Sequence, residues 1–264
     1  MPESDLTLLI NAALAAGDIA TKFTGADAVR WDKPDGAGPV TEADLAVNDM
    51  LERRLRSARP GYGWLSEETE DSAARLNKDT VFIIDPIDGT RSFVEGSRTW
   101  AHALAIARKG VVTAAVIYLP LRDKLYSAAQ GQGACLNNQP IHATDTADLA
   151  GAQVLAARPN LSEVHWPRGV PQITRAYRPS LAYRLARVAE GRFDAMLTLR
   201  DSWDWDIAAG HLILSEAGAI CTDKTGEQLL FNNARPMLNG VVSGGITVHS
   251  QIMTALGHAP RPAA

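Results

Sequence analysis

The 264-residue chain predicts a mixed α/β (α+β) fold, with a helical and antiparallel first half and an α/β second half. Three observations carry the prediction. Apolar residues recur at helical spacing in two stretches before residue 60. Strand-like runs joined by Lys109-Gly110 and closed by Gly131-Gln132-Gly133 follow, which is hairpin chemistry. Beyond residue 152 the pattern alternates between short β-rich runs and Ala- and Leu-rich stretches.

The elements follow in order. Leu6, Leu9, Ile10, Ala13, Leu14, Ala16, Gly17 and Ala20 define an amphipathic first helix behind a Ser4/Asp5 cap. Residues 32–40 are rich in Pro and Gly and are expected to form a mobile loop. Thr41-Glu42-Ala43-Asp44 opens a second helix that buries Leu45, Val47, Met50, Leu51 and Leu55 and ends at Pro60-Gly61. Trp64-Leu65-Ser66 is a short apolar approach to Glu67-Glu68, and Val81-Phe82-Ile83-Ile84 is a buried strand. Residues 103–108, 111–119 and 125–129 are further strands, and Asn137-Asn138-Gln139-Pro140 is a turn. Composition shifts near 143–152, so 1–145 and 146–264 are expected to be two units. The second contains strands at 153–157, 193–199, 219–222 and 240–243, helices near 180–190 and 206–217, and a frayed tail from Gly257.

Composition narrows the function. Net charge is −4 with a pI near 5.9, which argues against a nucleic-acid polymer as partner but leaves room for a small anionic substrate. The two cysteines, Cys135 and Cys221, are isolated, so no zinc site or disulfide framework is expected, and a reducing cytoplasm fits. The start of the chain lacks a basic, apolar leader, and no apolar run reaches the ~18 residues of a membrane span.

The chemistry concentrates in Asp85-Pro86-Ile87-Asp88-Gly89-Thr90. Two acids spaced i, i+3 follow a rigid strand, with turn-forming residues between and after them. All-oxygen groups of this kind suit a hard divalent cation such as Mg2+, although Asp-Pro and Asp-Gly also simply close strands. Thr90 is able to orient a water if an acceptor takes its proton. Asp44 is a candidate acceptor, but Thr41-x-x-Asp44 is also a helix-capping pattern. Glu67 and Glu68 point different ways, so at most one of them is a direct ligand. Asp206 precedes an apolar helix, where an acid serves either as a cap or beside a cation. If these acids converge, they form a cage for two or three Mg2+ ions.

The motifs Gly38-Pro39-Val40-Thr41-Glu42-Ala43-Asp44, Leu65-Ser66-Glu67-Glu68, Asp85-Pro86-Ile87-Asp88-Gly89-Thr90-Arg91-Ser92-Phe93 and Trp205-Asp206-Ile207-Ala208-Ala209-Gly210 occur in one order along most of the chain. With them the chain resembles the Mg2+-dependent, lithium-sensitive phosphatases of the inositol monophosphatase superfamily, and looks closest to the bacterial 3′(2′),5′-bisphosphate nucleotidases of the CysQ type. The resemblance implies a layered α-β-α-β-α sandwich acting on a small phosphorylated substrate, as monomer or homodimer. It implies that Glu67, Asp85 and the Ile87 carbonyl hold one Mg2+, that Asp85, Asp88 and Asp206 hold a second, and that a third lies near Glu67. Thr90 with Asp44 would position the attacking water, the Gly89 and Thr90 N–H groups would receive the phosphate, and Lys33 would lie near the metals.

Within that resemblance, Arg91 and the substrate side favour a nucleotide bisphosphate. Leu199 stands where inositol phosphatases carry a hydroxyl-binding acid, with Arg200 beside it. Ser92 and Pro179-Ser180 depart from the family pattern. Ser180, Arg184 and Arg200 are candidate substrate contacts, as is Arg178; for both Arg178 and Arg184 the alternative is a helix-surface charge. Inositol-1-phosphate and fructose-1,6-bisphosphate are the competing substrates.

Overall fold

The computed structural model describes residues 3–23, 28–32 and 38–258. Lys33 lies outside the described residues. Helix α1 (Asp5–Ala20) starts where the Ser4 hydroxyl accepts from the Thr7 N–H at 3.1 Å. Strands β1 (Arg30–Asp32) and β2 (Pro39–Thr41) pair antiparallel, so both ends of the expected loop belong to a hairpin. Helix α2 (Glu42–Ala58) follows, then β3 (Gly63–Ser66) and β4 (Thr80–Asp88). After the short helix α3 (Thr90–Val94) come β5 (Ala101–Arg108), β6 (Val111–Leu119), β7 (Lys124–Ala129), β8 (Ala134–Leu136) and β9 (Gln139–Ile141). The second half runs β10 (Gln153–Ala156), β11 (Thr174–Ala176), α4 (Leu181–Ala189), β12 (Ala195–Thr198), β13 (Ser202–Trp203) and α5 (Asp204–Glu216). It closes with β14 (Ile220–Thr222), β15 (Met237–Leu238), β16 (Val241–Gly244) and α6 (Ile246–Ala255).

Strands β3 to β9 form one seven-stranded sheet in chain order, antiparallel throughout except for the parallel pair β3–β4. A five-stranded sheet has the order β11-β10-β12-β16-β14. Residue alternation decides what each face of the larger sheet covers. Phe82, Ile84, Leu104 and Ile106 pack with α1 and α2, whereas Val81, Ile83 and the alanines 103, 105 and 107 pack with α4 and α5. Small residues on that second face let α5 lie close to the sheet. Helices α4 and α5 are just as close to each other, since a Cβ on Gly210 would lie 2.6 Å from Leu185 Cβ. The same core reaches Leu155, Met196 and Val241 of the second sheet, whose far side α6 covers through Val248, Ile252 and Met253. The layers are therefore α-β-α-β-α.

Some expectations need correction. Leu14 and Leu45 are exposed at 42% and 43%, and Leu8 and Ala12 are buried instead, although the other apolar residues expected inward on α1 and α2 are buried or pack against the core. Strand β4 does not stop at Ile84 but continues to Asp88. Its pairing with β5 jumps from Asp85↔Ala103 to Asp88↔Ala101, so a bulge accommodates Pro86, which has no N–H to offer a ladder. Helix α6 is not expected from the sequence: it starts with Ile246-Thr247-Val248, all three β-branched, and so has weak helix propensity at its first turn.

Candidate active site

The site forms where β3 ends opposite Ile84 and β4 runs on through its bulge to Asp88. Their parallel register pairs Ser66 with Ile84, and the Glu67 N–H donates to the Ile84 carbonyl at 3.1 Å. Glu67 and Asp85 are thus neighbours at one sheet edge. Asp85 continues the parity of Val81 and Ile83, toward the face covered by α5, and α5 delivers Asp206 in its first turn. One carboxylate oxygen each from Asp85, Asp88 and Asp206 lies within 4.8 Å of the others.

Asp88 is held from across the fold. Its carboxylate accepts from Ser180 Oγ at 2.6 Å, from the Leu181 N–H at 3.2 Å and from the Ala182 N–H at 2.6 Å, so it also serves the open N-terminus of α4. Ser180 has φ +66° and in turn accepts from the Tyr183 N–H at 3.1 Å. The chain turns at Gly89, whose φ of +98° suits glycine, and a Cβ there would come within 3.3 Å of Ser180 Cβ.

Asp44 satisfies both of its sequence readings at once. Its Oδ2 accepts from the Thr41 N–H at 2.8 Å and from Thr41 Oγ1 at 2.5 Å, closing the capping box of α2. Its Oδ1 accepts from Thr90 Oγ1 at 3.2 Å. The Thr90 hydroxyl is also 3.2 Å from the Ile87 carbonyl, a second acceptor for its one proton. Ile87 buries its side chain with α1 and α2, leaving its carbonyl as its contribution to the turn.

His102, which sequence reasoning did not single out, holds the bulge. Pro86 and Ile87 lie opposite this one residue of β5, and His102 Nδ1 meets the Pro86 carbonyl at 2.5 Å. The contact requires the proton on Nδ1. Burial pushes the imidazole pKa down to about 4, so the ring is neutral.

Acids this close and this buried resist ionising. Burial first, then Glu67, Asp88, Asp206 and Glu68, raises Asp85 well above the usual carboxylate range. Asp206 is raised by burial and by Asp88 and Glu67, against the opposing pull of Arg200. Asp88 is raised by burial, which its three donors and Arg184 partly offset. Asp44 is pushed up to about 6, chiefly by burial. Buried Asp85 Oδ1 has no hydrogen-bond partner among the described residues. An oxygen-only donor set with an orphaned carboxylate oxygen fits a hard divalent cation, whose charge would reverse these shifts.

These acids open into a cavity of about 600 Å³. Of the residues singled out from sequence, Glu67, Asp85, Asp88, Gly89, Thr90, Arg91, Ser180, Arg184, Arg200 and Asp206 all line it. Asp44 and Ile87 stand behind Thr90. Leu199 is turned away and buried; its N–H donates to Asn160 Oδ1 at 3.0 Å and its carbonyl accepts from Lys224 Nζ at 3.3 Å. Arg178 is not a lining residue, and its guanidinium lies 5.6 Å over the Phe193 ring. The cavity also includes Tyr177, Trp203 and Trp205. The only sequence signal for these is the Trp-x-Trp spacing at the start of α5.

The fold sets a buried cluster of carboxylates able to hold a divalent cation beside this cavity, and comparison with known proteins gives the family. The chain belongs to the inositol monophosphatase family, whose model matches residues 1–256. It is 30% identical to the inositol-1-monophosphatase of Mesorhizobium japonicum over 95% of each chain. It is also 30% identical to the Nus factor SuhB of Escherichia coli K12, over 84% of this chain and 85% of that one. The crystal structure of the extragenic suppressor protein suhB from Bartonella henselae superposes with a TM-score of 0.80 at 28% identity, covering 94% of this chain and 96% of that one. The protein is thus a phosphatase of this family. Among the described residues no helix is long and apolar enough to cross a membrane.

Proposed function

We propose that this chain is a Mg2+-dependent, lithium-sensitive phosphomonoesterase that removes the 3′-phosphate of adenosine 3′,5′-bisphosphate, as the nucleotidases of the CysQ type do. The observation that carries the substrate is the cavity wall. Arg91, Arg184 and Arg200 line the same cavity as the acids, whereas the position expected to grip a polyol is the inward-turned Leu199. Guanidinium groups suit a second phosphate. Without an acid at Leu199, a polyol loses one acceptor for its hydroxyls.

Glu67, Asp85, Asp88, Asp206 and the Ile87 carbonyl would hold the ions. Bound there, Mg2+ would supply Lewis-acid chemistry, lowering the pKa of a water and neutralising phosphoryl charge. The chain's own part is orientation. Asp44 draws the Thr90 proton toward itself, leaving the hydroxyl's lone pairs to accept from and aim the water. The N–H groups of Gly89 and Thr90, at the start of α3, face the phosphate.

Inositol-1-phosphate hydrolysis is the second reading, favoured by the name of the Mesorhizobium relative. Phosphate release is measured with Mg2+, with and without Li+, on adenosine 3′,5′-bisphosphate, inositol-1-phosphate and fructose-1,6-bisphosphate. We expect the highest kcat/KM on the nucleotide. A preference for inositol-1-phosphate overturns the substrate, and no release from any of them overturns the hydrolytic reading in favour of a silent phosphate-binding regulator.

A further inference from the structure

Two indoles form part of the catalytic cavity. Trp203 and Trp205 flank the first residue of α5, with ring centroids 4.7 Å apart and planes 10° from parallel. Trp205 packs against the core shared by the two sheets, so the inner ring is backed. Trp203 is 40% exposed, and its backbone is fixed by pairing with Met237 in the β13–β15 ribbon. The result is an aromatic plane with one face on Trp205 and part of its surface exposed among the residues that line the cavity. Tyr177, 49% exposed, lines the same space, with the Arg184 guanidinium 5.4 Å from its ring centroid. Exposing so much aromatic surface costs hydrophobic free energy unless a ligand covers it.

We infer that Trp203 is a stacking platform for the base of a nucleoside phosphate bound in this cavity. The inference rests on the nucleotidase reading and deepens it by naming what recognises the base. One cavity offers three chemistries: carboxylates for a cation at the reacting phosphate, guanidinium groups for a second anion, and a preorganised π-face. A phosphorylated polyol offers such a face only the C–H edges between its hydroxyls. A purine supplies a flat ring of matching polarity, and because the plane is already fixed, little ordering is required when the base arrives. Stacking on an aromatic side chain is sequence-tolerant, so discrimination between bases should be weak.

The test compares kcat/KM for adenosine 3′,5′-bisphosphate with that for the same sugar bisphosphate lacking the base. It uses wild type, Trp203→Leu and Trp203→Phe. Leucine fills the space without a π-face, and phenylalanine restores a ring. Base stacking worth about 1–3 kcal/mol corresponds to a base advantage of roughly 5- to 150-fold. We expect that advantage in wild type, its collapse in Trp203→Leu, and its survival to within a few-fold in Trp203→Phe. Titration of chelator-treated wild type with adenosine 3′,5′-bisphosphate, read by quenching of tryptophan fluorescence, should show a signal that Trp203→Phe loses in part. This readout needs neither turnover nor a foldable leucine variant. An unchanged base advantage in Trp203→Leu, or quenching identical in Trp203→Phe, overturns the platform and leaves the nucleotidase reading standing. A wild type that shows no base advantage and prefers inositol-1-phosphate overturns both.

Discussion

Asp44→Asn should separate what this residue does for the fold from what it does for the reaction. The carboxyl bridges Thr41, through a capping box, and Thr90, through Oδ1. In the variant, the amide oxygen is obliged to face the two Thr41 donors, because an NH2 group there would meet N–H and O–H. The amide NH2 therefore faces Thr90 and donates where the carboxylate accepted. The cap survives, but the Thr90 hydroxyl must now accept from the introduced amide and turns its proton elsewhere. Misorienting a positioned hydroxyl of this kind should lower kcat by roughly 10²- to 10⁴-fold.

Stability should move the other way. Asp44 has a pKa of about 6 against an ordinary 3.8, mainly because it is buried. It binds its proton more tightly in the fold than in the unfolded chain. Its contribution is therefore most favourable below about pH 4 and declines as pH rises through about 6. Keeping it ionised at pH 8 costs at most about 3 kcal/mol, at 1.36 kcal/mol per pKa unit. The asparagine variant avoids that cost. In chelator it should melt above wild type at pH 8, by ~2–4 °C per kcal/mol recovered, and level with it near pH 4. Asp85, Asp88 and Asp206 also titrate, but they are present in both proteins and largely cancel in the difference. Differential scanning fluorimetry between pH 4 and 8, with kcat measured at saturating substrate and Mg2+, provides the data. A kcat within tenfold of wild type, or a melting difference that does not change with pH, refutes the reasoning.

Two further outcomes follow from the supports around the acids. Ser180→Ala removes both the α4 cap and the 2.6 Å donor to Asp88, so urea denaturation should show a loss of about 1–2 kcal/mol; an unchanged midpoint would show that the serine is dispensable. His102→Leu leaves the buried Pro86 carbonyl unpaired and frees the bulge between Asp85 and Asp88, so calorimetry should show Mg2+ binding weakened by roughly 10- to 100-fold, as for other outer supports of metal ligands; wild-type affinity would mean that the turn holds itself.

What could be read from the sequence divides by the range of the forces involved. The gathering of acids after the Val81–Ile84 run was legible because its causes are local, a β-branched apolar run, then breakers and acids, although the strand itself continues through a bulge to Asp88. The capping of α2 was legible for the same reason. The face of α1 was legible except at Leu14, where contact with α2, β5 and β6 brings Leu8 and Ala12 inward instead. The convergence of the acids followed from motif resemblance and not from periodicity, since nothing local places Asp206 beside Asp85.

The supports of the site were the least legible part, and the reason is topological. Ser180 reaches Asp88 from 92 residues away, and Asp44 meets Thr90 across 46. A serine before a helix looks like a cap in any sequence, and only the packing of α4 against the end of β4 turns that cap into a second grip on an acid. His102 looks like one more residue of an apolar strand until the register jump puts two residues of β4 opposite it. The chemistry of the floor is fixed by residue type, so a sequence discloses it. The walls of the cavity come from α4, α5 and the segment before Ser180, so Arg184, Trp203 and Tyr177 meet only after both sheets have packed around the central helices. The family is shared with relatives of 30% identity that carry different names, so the substrate comparison must be made on this chain itself.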